Sequence, residues 1–192
     1  MLIENEFEVA APVEKVWTYL LDVPKLVPCL PGAEFIGDDG HGTYEGRVTT
    51  KMGPVSLRFA GKAKILEADA VARRIVMQGS GSEEKGKGTA AMTVTSTLVA
   101  AGRGTKVTVA QDLQVSGAAA QFGRGMIADV TSVLMKSFAD CLQYNIDAES
   151  RGESPGAHRA AAPASGFGIG LKAALMALKR VFGRLFGAGS KR

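Results

Sequence analysis

The chain has 192 residues, 46% hydrophobic and 22% charged, a composition typical of a globular protein with room for one domain and an appendage. Its formal net charge of +4 is unevenly distributed, because residues 1–150 contain 15 Lys and Arg against 18 Asp and Glu, whereas residues 151–192 contain 8 against 1. The slightly acidic main part argues against a nucleic-acid-binding domain, and the basic tail indicates an appendage that seeks an anionic surface.

The two cysteines, Cys29 and Cys141, stand in apolar contexts without CxxC or metal-ligand spacing. They are therefore predicted to be buried free thiols in a reducing compartment, and no metal site is expected. The N-terminal segment MLIENEFEVAAP carries acids where a signal peptide would carry bases and an apolar run. No export signal is visible, and a cytoplasmic protein is expected.

In chain order, a strand comes first, then two short helices, then a return to strands. Residues 2–9 alternate between apolar side chains and glutamates, which is typical of a half-buried strand. Pro12 begins a helix over 13–20, because proline loses no hydrogen bond in the first turn, and a second helical piece is predicted at 25–30. Six further strands are predicted at 33–36, 43–51, 55–67, 73–80, 89–99 and 105–115. The short polar turns between them imply antiparallel neighbours.

Residues 121–144 are predicted to form one long helix with a wide apolar arc. The arc consists of Phe122, Met126, Ile127, Val130, Val133, Leu134, Phe138, Cys141 and Tyr144. It is wider than a coiled-coil seam, so the helix is expected to lie in a concave apolar surface formed by the curved sheet.

The strand residues predicted to face this helix are bulky at one end and small at the other. Small positions include Gly61, Gly79, Gly81, Gly88 and Ala90. A sheet lined in this way cannot fill the space beneath a helix at normal packing density. Either the helix lies closer there or a cavity is present, and strand glycines that mark bulges or bends are an equally good explanation.

Three segments carry a resemblance to a known family: 11–34 (APVEKVWTYLLDVPKLVPCLPGAE), 50–69 (TKMGPVSLRFAGKAKILEAD) and 115–142 (VSGAAAQFGRGMIADVTSVLMKSFADCL). They resemble the carbon monoxide dehydrogenase G subunit (CoxG) family of the START-like (helix-grip) superfamily, over about residues 1–145. The resemblance implies an α+β fold in which a seven-stranded antiparallel sheet wraps round the long C-terminal helix with an apolar cavity between them. It also implies an association with a molybdenum-containing, carbon monoxide dehydrogenase-type oxidoreductase that docks at the membrane. The superfamily implies a hydrophobic, lipid-like ligand, and a respiratory quinone is the economical candidate.

The expected domains are a ligand-binding domain at 1–148, a flexible linker at 149–166 and a basic amphipathic helix at 167–192. No covalent cofactor and no catalytic residue are expected. The residues predicted to line the ligand site are Trp17, Leu57, Phe59, Met77, Gly79, Ala90, Met92, Gln111, Phe122, Met126, Val130 and Leu134. Two of them have a simpler explanation, because Trp17 is more often plain core and Gln111 is as readily a hydrogen-bonded core glutamine.

The remaining candidate groups indicate little chemistry. His41 lies in a glycine turn and His158 in the linker, and neither is placed to orient a nucleophile. The segment 120–125 (AQFGRG) could hold an anion at the helix N-terminus, although close helix–sheet packing explains its glycines about as well. The polar strand residues Glu45, Arg47, Arg58 and Lys62 are expected to form a solvated face.

After a linker rich in Gly, Ala, Ser and Pro, residues 167–186 are strongly apolar but charged on one side. A spanning helix needs ~20 mostly apolar residues without such charges, so this helix is predicted to lie in the plane of an anionic membrane surface. The predicted membrane-binding residues are Leu171, Lys172, Leu175, Leu178, Lys179, Arg180, Phe182, Arg184, Leu185 and Phe186. Docking of this helix on its own domain or on a partner groove is the alternative.

Two hypotheses of function follow. In the first, a non-enzymatic module on the inner face of the cell membrane binds a quinone and links its partner oxidoreductase to the respiratory chain. In the second, the cavity is filled, and the protein is an adaptor or maturation factor that anchors the partner without a ligand. A cyclase-like enzyme is disfavoured by the lack of convergent acid–base residues.

Overall fold

The computed structural model describes residues 1–52 and 55–153 and confirms the α+β helix-grip architecture. The elements are β1 (Leu2–Val9), α1 (Val13–Leu21), α2 (Val23–Leu26), β2 (Ala33–Asp38), β3 (Thr43–Met52), β4 (Val55–Asp69), β5 (Arg74–Glu83), β6 (Thr89–Ala101), β7 (Gly104–Val115) and α3 (Gly123–Ser150). Short 3-10 turns, Val27–Cys29 and Gly117–Phe122, precede β2 and α3. The predicted tail helix and the linker beyond residue 153 lie outside the described residues. None of the described helices is long and apolar enough to cross a bilayer.

The strands form one antiparallel sheet in the order β1-β7-β6-β5-β4-β3-β2. The meander joins neighbours from β2 to β7, and β1 closes the sheet against β7, with Ile3 opposite Gln111 and Phe7 opposite Val107. Alternation of apolar and polar residues fixes which face of each strand turns towards α3, because a shift of one residue would exchange the faces. The predicted inward phase of β4 is confirmed by exposed Arg58 and Lys62 on its other side.

The packed core occupies only one half of the concave face. It joins α1 and α2, the C-terminal half of α3, and the neighbouring ends of β5, β6 and β7. Its buried members include Val16, Trp17, Leu20, Ile75, Leu98, Val107, Val109, Phe138, Leu142 and Ile146. Each fully buried side chain of this size stabilises the fold by about 1.5–3 kcal/mol, so this half carries most of the hydrophobic stabilisation.

A disulfide bond, and not a pair of free thiols, joins Cys29 to Cys141 with an S–S distance of 2.06 Å. Both cysteines are buried, as predicted, but the 3-10 turn after α2 brings Cys29 against α3 although 112 residues separate the two in sequence. The prediction of free thiols is therefore wrong. The two cysteines therefore no longer indicate a reducing compartment, because stable disulfides occur mainly in oxidising compartments.

Asn145 organises the polar part of this junction. Its Nδ2 donates to the Tyr19 hydroxyl at 3.1 Å and lies 3.2 Å from Cys29 Sγ. Burial raises the pKa of Tyr19 above its ordinary value, and the hydrogen bond from Asn145 offsets part of that rise. At the exposed edge of this junction, Lys25 forms a 3.1 Å ion pair with Glu149, and this hydrogen bond raises the pKa of the Lys25 ammonium. The C-terminal end of α3 is thus held by covalent, polar and ionic contacts together.

The buried face of α3 differs in part from the predicted arc. Ile127, Val130, Phe138 and Cys141 are buried as expected, and the buried face also includes Leu142, Asn145, Ile146 and Ala148. Met126 and Tyr144 are instead 46% and 39% exposed. The helix also continues to Ser150, into the predicted linker, because α1 and α2 extend its packing surface.

Two of the strand glycines are required by the close approach of the β4 and β5 backbones. A Cβ on Gly61 would lie 2.1 Å from the Ser80 carbonyl oxygen, and one on Gly81 would lie 2.9 Å from the Ala60 carbonyl oxygen. The inward-facing Gly79 differs, because the nearest atom to its Cβ position is 3.8 Å away. Both explanations of the strand glycines therefore apply, to different residues.

We expect Gly61→Ala to lower the free energy of unfolding by about 1–3 kcal/mol, because its methyl group has to displace backbone. Gly79→Ala is expected to be neutral or to stabilise by about 0.4–1 kcal/mol, since alanine restricts the unfolded chain and meets nothing in the folded one. Urea unfolding of the two variants measures the difference. Equal destabilisation by both substitutions would contradict the difference in backbone contact between the two glycines.

Replacing both cysteines, Cys29→Ala with Cys141→Ala, is expected to lower the free energy of unfolding by about 2–4 kcal/mol, because the bridge restricts a long loop of the unfolded chain. Urea unfolding measures this change, with reduced wild-type protein as the matched comparison. Denatured, unreduced wild-type protein should take up no iodoacetamide, and alkylation of both cysteines would refute the disulfide.

Candidate functional site

The register of the strands orders the concave face into rows that run across the sheet. One row contains Gln111, Val94, Met77 and Ile65, each directly opposite the next on neighbouring strands. The row beside it, further from the core, contains Leu113, Met92, Gly79 and Ala63. A third row contains Val115, Ala90, Gly81 and Gly61.

Burial changes across these rows. On β7, Val107 and Val109 are 0% and 5% exposed on the core side, whereas Leu113 and Val115 are only half-buried. The same applies to Met77, Met92 and Phe59 on the strands beside it. The far half of the concave face is therefore an apolar surface that the described residues cover incompletely. We call this surface, formed by the second and third rows together with Phe59, the open cleft.

Helix α3 lies over the open cleft without closing it. Its backbone runs closest to β1, and its N-terminal half presents buried Ile127 and Val130 and half-buried Leu134. Beyond them Met126 is exposed, as are Phe35 and Val48, which the register assigns to the concave side of β2 and β3. We call these three exposed apolar side chains the apolar rim. In the described part of the chain, the predicted apolar cavity between α3 and the sheet takes the form of an open cleft.

The glycines at the start of α3 do not pack against the sheet. A Cβ on Gly123 or Gly125 would meet no atom within 4 Å, so the prediction of close helix–sheet packing there is wrong. Gly123 has φ +71°, which lets the chain turn from the 3-10 segment into the helix. Gly125 has no such requirement, and nothing in the structure explains it.

Most of the predicted ligand-binding residues come together at the open cleft, and three do not line it. Trp17 lies in the packed core, where the guanidinium of Arg73 stands 5.5 Å from its ring centroid, and Leu57 is 1% exposed with no free surface. Met126 lies at the rim, with its side chain turned to solvent. The other nine lie on the floor of the cleft, along its edge next to the core, or on the 3-10 turn and helix α3. They are Phe59, Met77, Gly79, Ala90, Met92, Gln111, Phe122, Val130 and Leu134.

Sequence reasoning missed one polar residue of the concave face, Asn5 on β1. Its side-chain Oδ1 lies 3.2 Å from Ser132 Oγ on α3, and its Nδ2 is buried without a hydrogen-bond partner among the described residues. Among the described residues, Arg47 Nε is the other buried side-chain nitrogen without a hydrogen bond. It lies 2.9 Å from a Glu84 carboxylate oxygen, with which it forms an ion pair. Asn5 could have been found from its position alone, because it is the one polar residue in the inward phase of β1.

A buried carboxylate lies at the far end of the cleft. Glu83 is 4% exposed, and its Oε2 accepts hydrogen bonds from the backbone N–H groups of Lys85 and Lys87 at 2.8 and 3.1 Å. Burial would raise the pKa of this carboxyl, but those backbone donors outweigh it and hold the pKa below its ordinary value. The charge is therefore engaged within the β5–β6 turn.

The other charged strand residues form the predicted solvated face. Lys62 pairs with Glu45 at 2.9 Å and Arg58 with Glu34 at 3.3 Å, with all four side chains substantially exposed. His41 is exposed in its turn, and no group of His, Cys, Asp or Glu among residues 1–52 and 55–153 is arranged to hold a metal. His158 lies outside that range.

Two surface depressions differ from the open cleft in position. One, of about 520 Å³, lies at the core end of the sheet, between Gln143 of α3 and the β6–β7 turn with Arg103. The other, of about 390 Å³, lies across β4, β5 and β6 and includes Lys62 and Ser80, whose side chains the register assigns to the outer face. Its lining also includes Gly61, Gly81 and Ala90 of the third row, and no residue of α3.

Solved structures share this fold at low sequence identity. A conserved protein from Geobacillus kaustophilus is 20% identical with a TM-score of 0.69, covering 77% of this chain and 95% of that one. A Thermus thermophilus protein is 17% identical with a TM-score of 0.57, covering 78% and 99%. The protein named Ara h 8.0201 is 16% identical with a TM-score of 0.51, covering 77% and 98%. These likenesses establish the fold alone.

No curated protein matches the sequence significantly. The family model of CoxG, the G subunit of carbon monoxide dehydrogenase, by contrast, matches residues 6–147, from within β1 to near the end of α3. This range includes every strand after β1, the open cleft and the disulfide junction. The chain therefore belongs to the CoxG family.

Proposed function

We propose that this protein is a membrane-tethered accessory protein that binds a respiratory quinone or similar lipid in the open cleft. It would link a molybdenum hydroxylase of the carbon monoxide dehydrogenase type to the membrane respiratory chain. Family membership supports the coarser part of this proposal, an accessory role beside carbon monoxide dehydrogenase. The quinone, the membrane and the electron-transfer role are our inference.

The observation that carries the ligand proposal is the incomplete covering of apolar side chains in the far half of the concave face. Phe59, Met77 and Met92 would normally be buried in a domain of this size, but here they are only half-buried on the concave face. A contiguous exposed apolar surface in a concave setting is typical of a ligand-binding site. The two methionines favour a ligand of irregular shape, because their unbranched side chains adapt to it.

The chemistry of the cleft favours a mainly apolar ligand with a polar group. The second and third rows carry no charged side chain, and Gln111 lies in the first row, at the edge of the cleft next to the core. A quinone ring with an isoprenoid chain has this distribution, with carbonyl oxygens at one end and a long hydrocarbon at the other. The chain would leave past the apolar rim of Phe35, Val48 and Met126.

The membrane part of the proposal depends on the basic, amphipathic pattern of residues 167–192. Its six basic residues could each contribute about 1 kcal/mol at an anionic leaflet, in addition to burial of the apolar face. A peripheral position on an anionic membrane surface follows, and the linker would let the domain reach both its partner and the bilayer.

The adaptor remains the second candidate, favoured by the absence of an enclosed cavity among the described residues. In that case the half-exposed face would bind the partner enzyme itself. An enzyme of cyclase type would need convergent acid–base groups, and the only carboxylate on the open half of the described concave face, Glu83, is engaged in its turn.

We expect Gly79→Leu to lower the affinity for a decyl-substituted naphthoquinone at least about tenfold, because the leucine fills the space that a ligand would occupy. The substitution should fold normally, since Gly79 has no backbone neighbour in the way. Isothermal titration and mass spectrometry of organic extracts measure binding. Ala90→Phe should act in the same way.

Gln78→Leu is the matched control, because it adds the same side chain to the same strand but on the exposed outer face. It should bind the quinone as the wild type does. If Gly79→Leu and Ala90→Phe both bind the quinone as the wild type does, the concave face is not the site. If the wild type takes up no quinone, the adaptor hypothesis is favoured.

Deletion of residues 167–192 should abolish co-sedimentation with anionic liposomes and leave the unfolding transition of the domain unchanged, because all the basic excess lies in the tail. Neutral phosphatidylcholine liposomes are the control, and they should retain less full-length protein. Unchanged sedimentation of the truncated protein would refute the membrane anchor.

A further inference from the structure

The boundary between the packed core and the open cleft carries two amides. Gln111 is 7% exposed and lies on β7 between buried Val109 and half-buried Leu113. Asn5 lies on β1 opposite Val109, two residue pairs along from the Ile3–Gln111 pair. Both side chains are in the inward phase, so they are diagonal neighbours on the concave face, close enough for one small group to contact both.

Both amides lack part of their hydrogen bonding within the described chain. Gln111 makes no side-chain hydrogen bond there, and Asn5 Nδ2 is buried without one. Buried polar groups are almost always hydrogen-bonded in native proteins, and leaving them unpaired is unfavourable. The Asn5 nitrogen is such a group. The Gln111 amide beside it makes no hydrogen bond within the described chain and is not fully enclosed, so it can pair with a group that enters the cleft.

The orientation of the Asn5 amide does not alter this conclusion. The Ser132 hydroxyl lies 3.0 Å from the Ala128 carbonyl and 3.2 Å from Asn5 Oδ1, but it has one proton to donate. If that proton goes to Ala128, the Asn5 amide turns over and donates Nδ2 to Ser132, which leaves Oδ1 unpaired. One end of the Asn5 amide is then free in either arrangement.

We propose that Asn5 and Gln111 together bind an oxygen-bearing group of the cleft ligand, a carbonyl or hydroxyl, and so fix its polar end against the core. This inference rests on the proposed function and adds the ligand's orientation to it. The apolar remainder of the ligand then lies along Met92 and Gly79 towards the rim. Amides donate to a carbonyl through N–H and accept from a hydroxyl through C=O, so the pair suits both a quinone and the corresponding quinol.

A pair of probes tests the oxygen-specific part. The first is the decyl-substituted naphthoquinone, and the second is the decylnaphthalene of the same ring and chain, which lacks the carbonyl oxygens. Wild-type full-length protein is expected to prefer the quinone by about tenfold or more, because only the quinone satisfies the two amides. Equilibrium dialysis of both probes measures the preference.

Gln111→Met and Asn5→Leu are expected to remove most of that preference by weakening quinone binding while hydrocarbon binding is kept. Gln114→Met is the matched control, because Gln114 lies on the same strand with its side chain exposed on the outer face. Asn5→Leu should also leave the melting temperature unchanged or raise it, since it removes an unpaired buried group.

The outcomes separate the two levels of the proposal. If both probes bind the wild type equally, or if the variants keep the full preference, the amides do not bind the ligand and the inference is wrong, although the cleft still binds lipid. If the variants lose both probes equally and melt at lower temperature, Asn5 and Gln111 are structural. If neither probe binds the wild type, the proposed function itself fails.

Discussion

The structure depends on an unequal attachment of its long helix. At its C-terminal end α3 is joined to the turn after α2 by the Cys29–Cys141 bond, and Asn145 ties the same junction to Tyr19. The core of the domain is concentrated there. This end is fixed covalently and by burial. The N-terminal half of α3 buries Ile127 and Val130 but leaves the far half of the concave face incompletely covered.

This division explains why the domain can be stable and still leave an apolar surface open. Hydrophobic stabilisation is proportional to the area buried, and the packed half supplies it through α1, α2 and the ends of β5, β6 and β7. The open half, with Gly79 and Ala90 on its floor, contributes less to stability. Regions with few buried contacts are the ones that rearrange most readily, so adjustment to a ligand is expected in the N-terminal half of α3 rather than at the disulfide.

Much of this fold could be predicted from sequence, because its strands and long helix follow from local patterns of apolar and polar residues. Alternation located all seven strands and assigned their faces, and the position of the long helix followed from its period. The disulfide could not be found in that way, since it depends on a contact between residues 112 positions apart. The periodicity of α3 gives the angles between its side chains but not the rotation of the helix about its axis against the sheet. Met126 and Tyr144 were therefore assigned to the buried face, and polar Asn145 was not. Trp17 was misplaced because α1 packs on the core half, which no local signal indicates.

The glycines and the amides illustrate how a sequence pattern becomes specific only with geometry. Gly61, Gly79 and Gly81 look equivalent in sequence, yet two of them are required by close backbone contact and the third opens onto the cleft. Asn5 and Gln111 likewise look like ordinary polar exceptions in apolar strands. Their register places them together where the core ends. Their amide groups make that edge of the apolar cleft polar, so the two ends of the cleft differ. A ligand held there by its polar end would point its hydrocarbon towards the rim, so that a long chain could leave the domain without crossing the packed core.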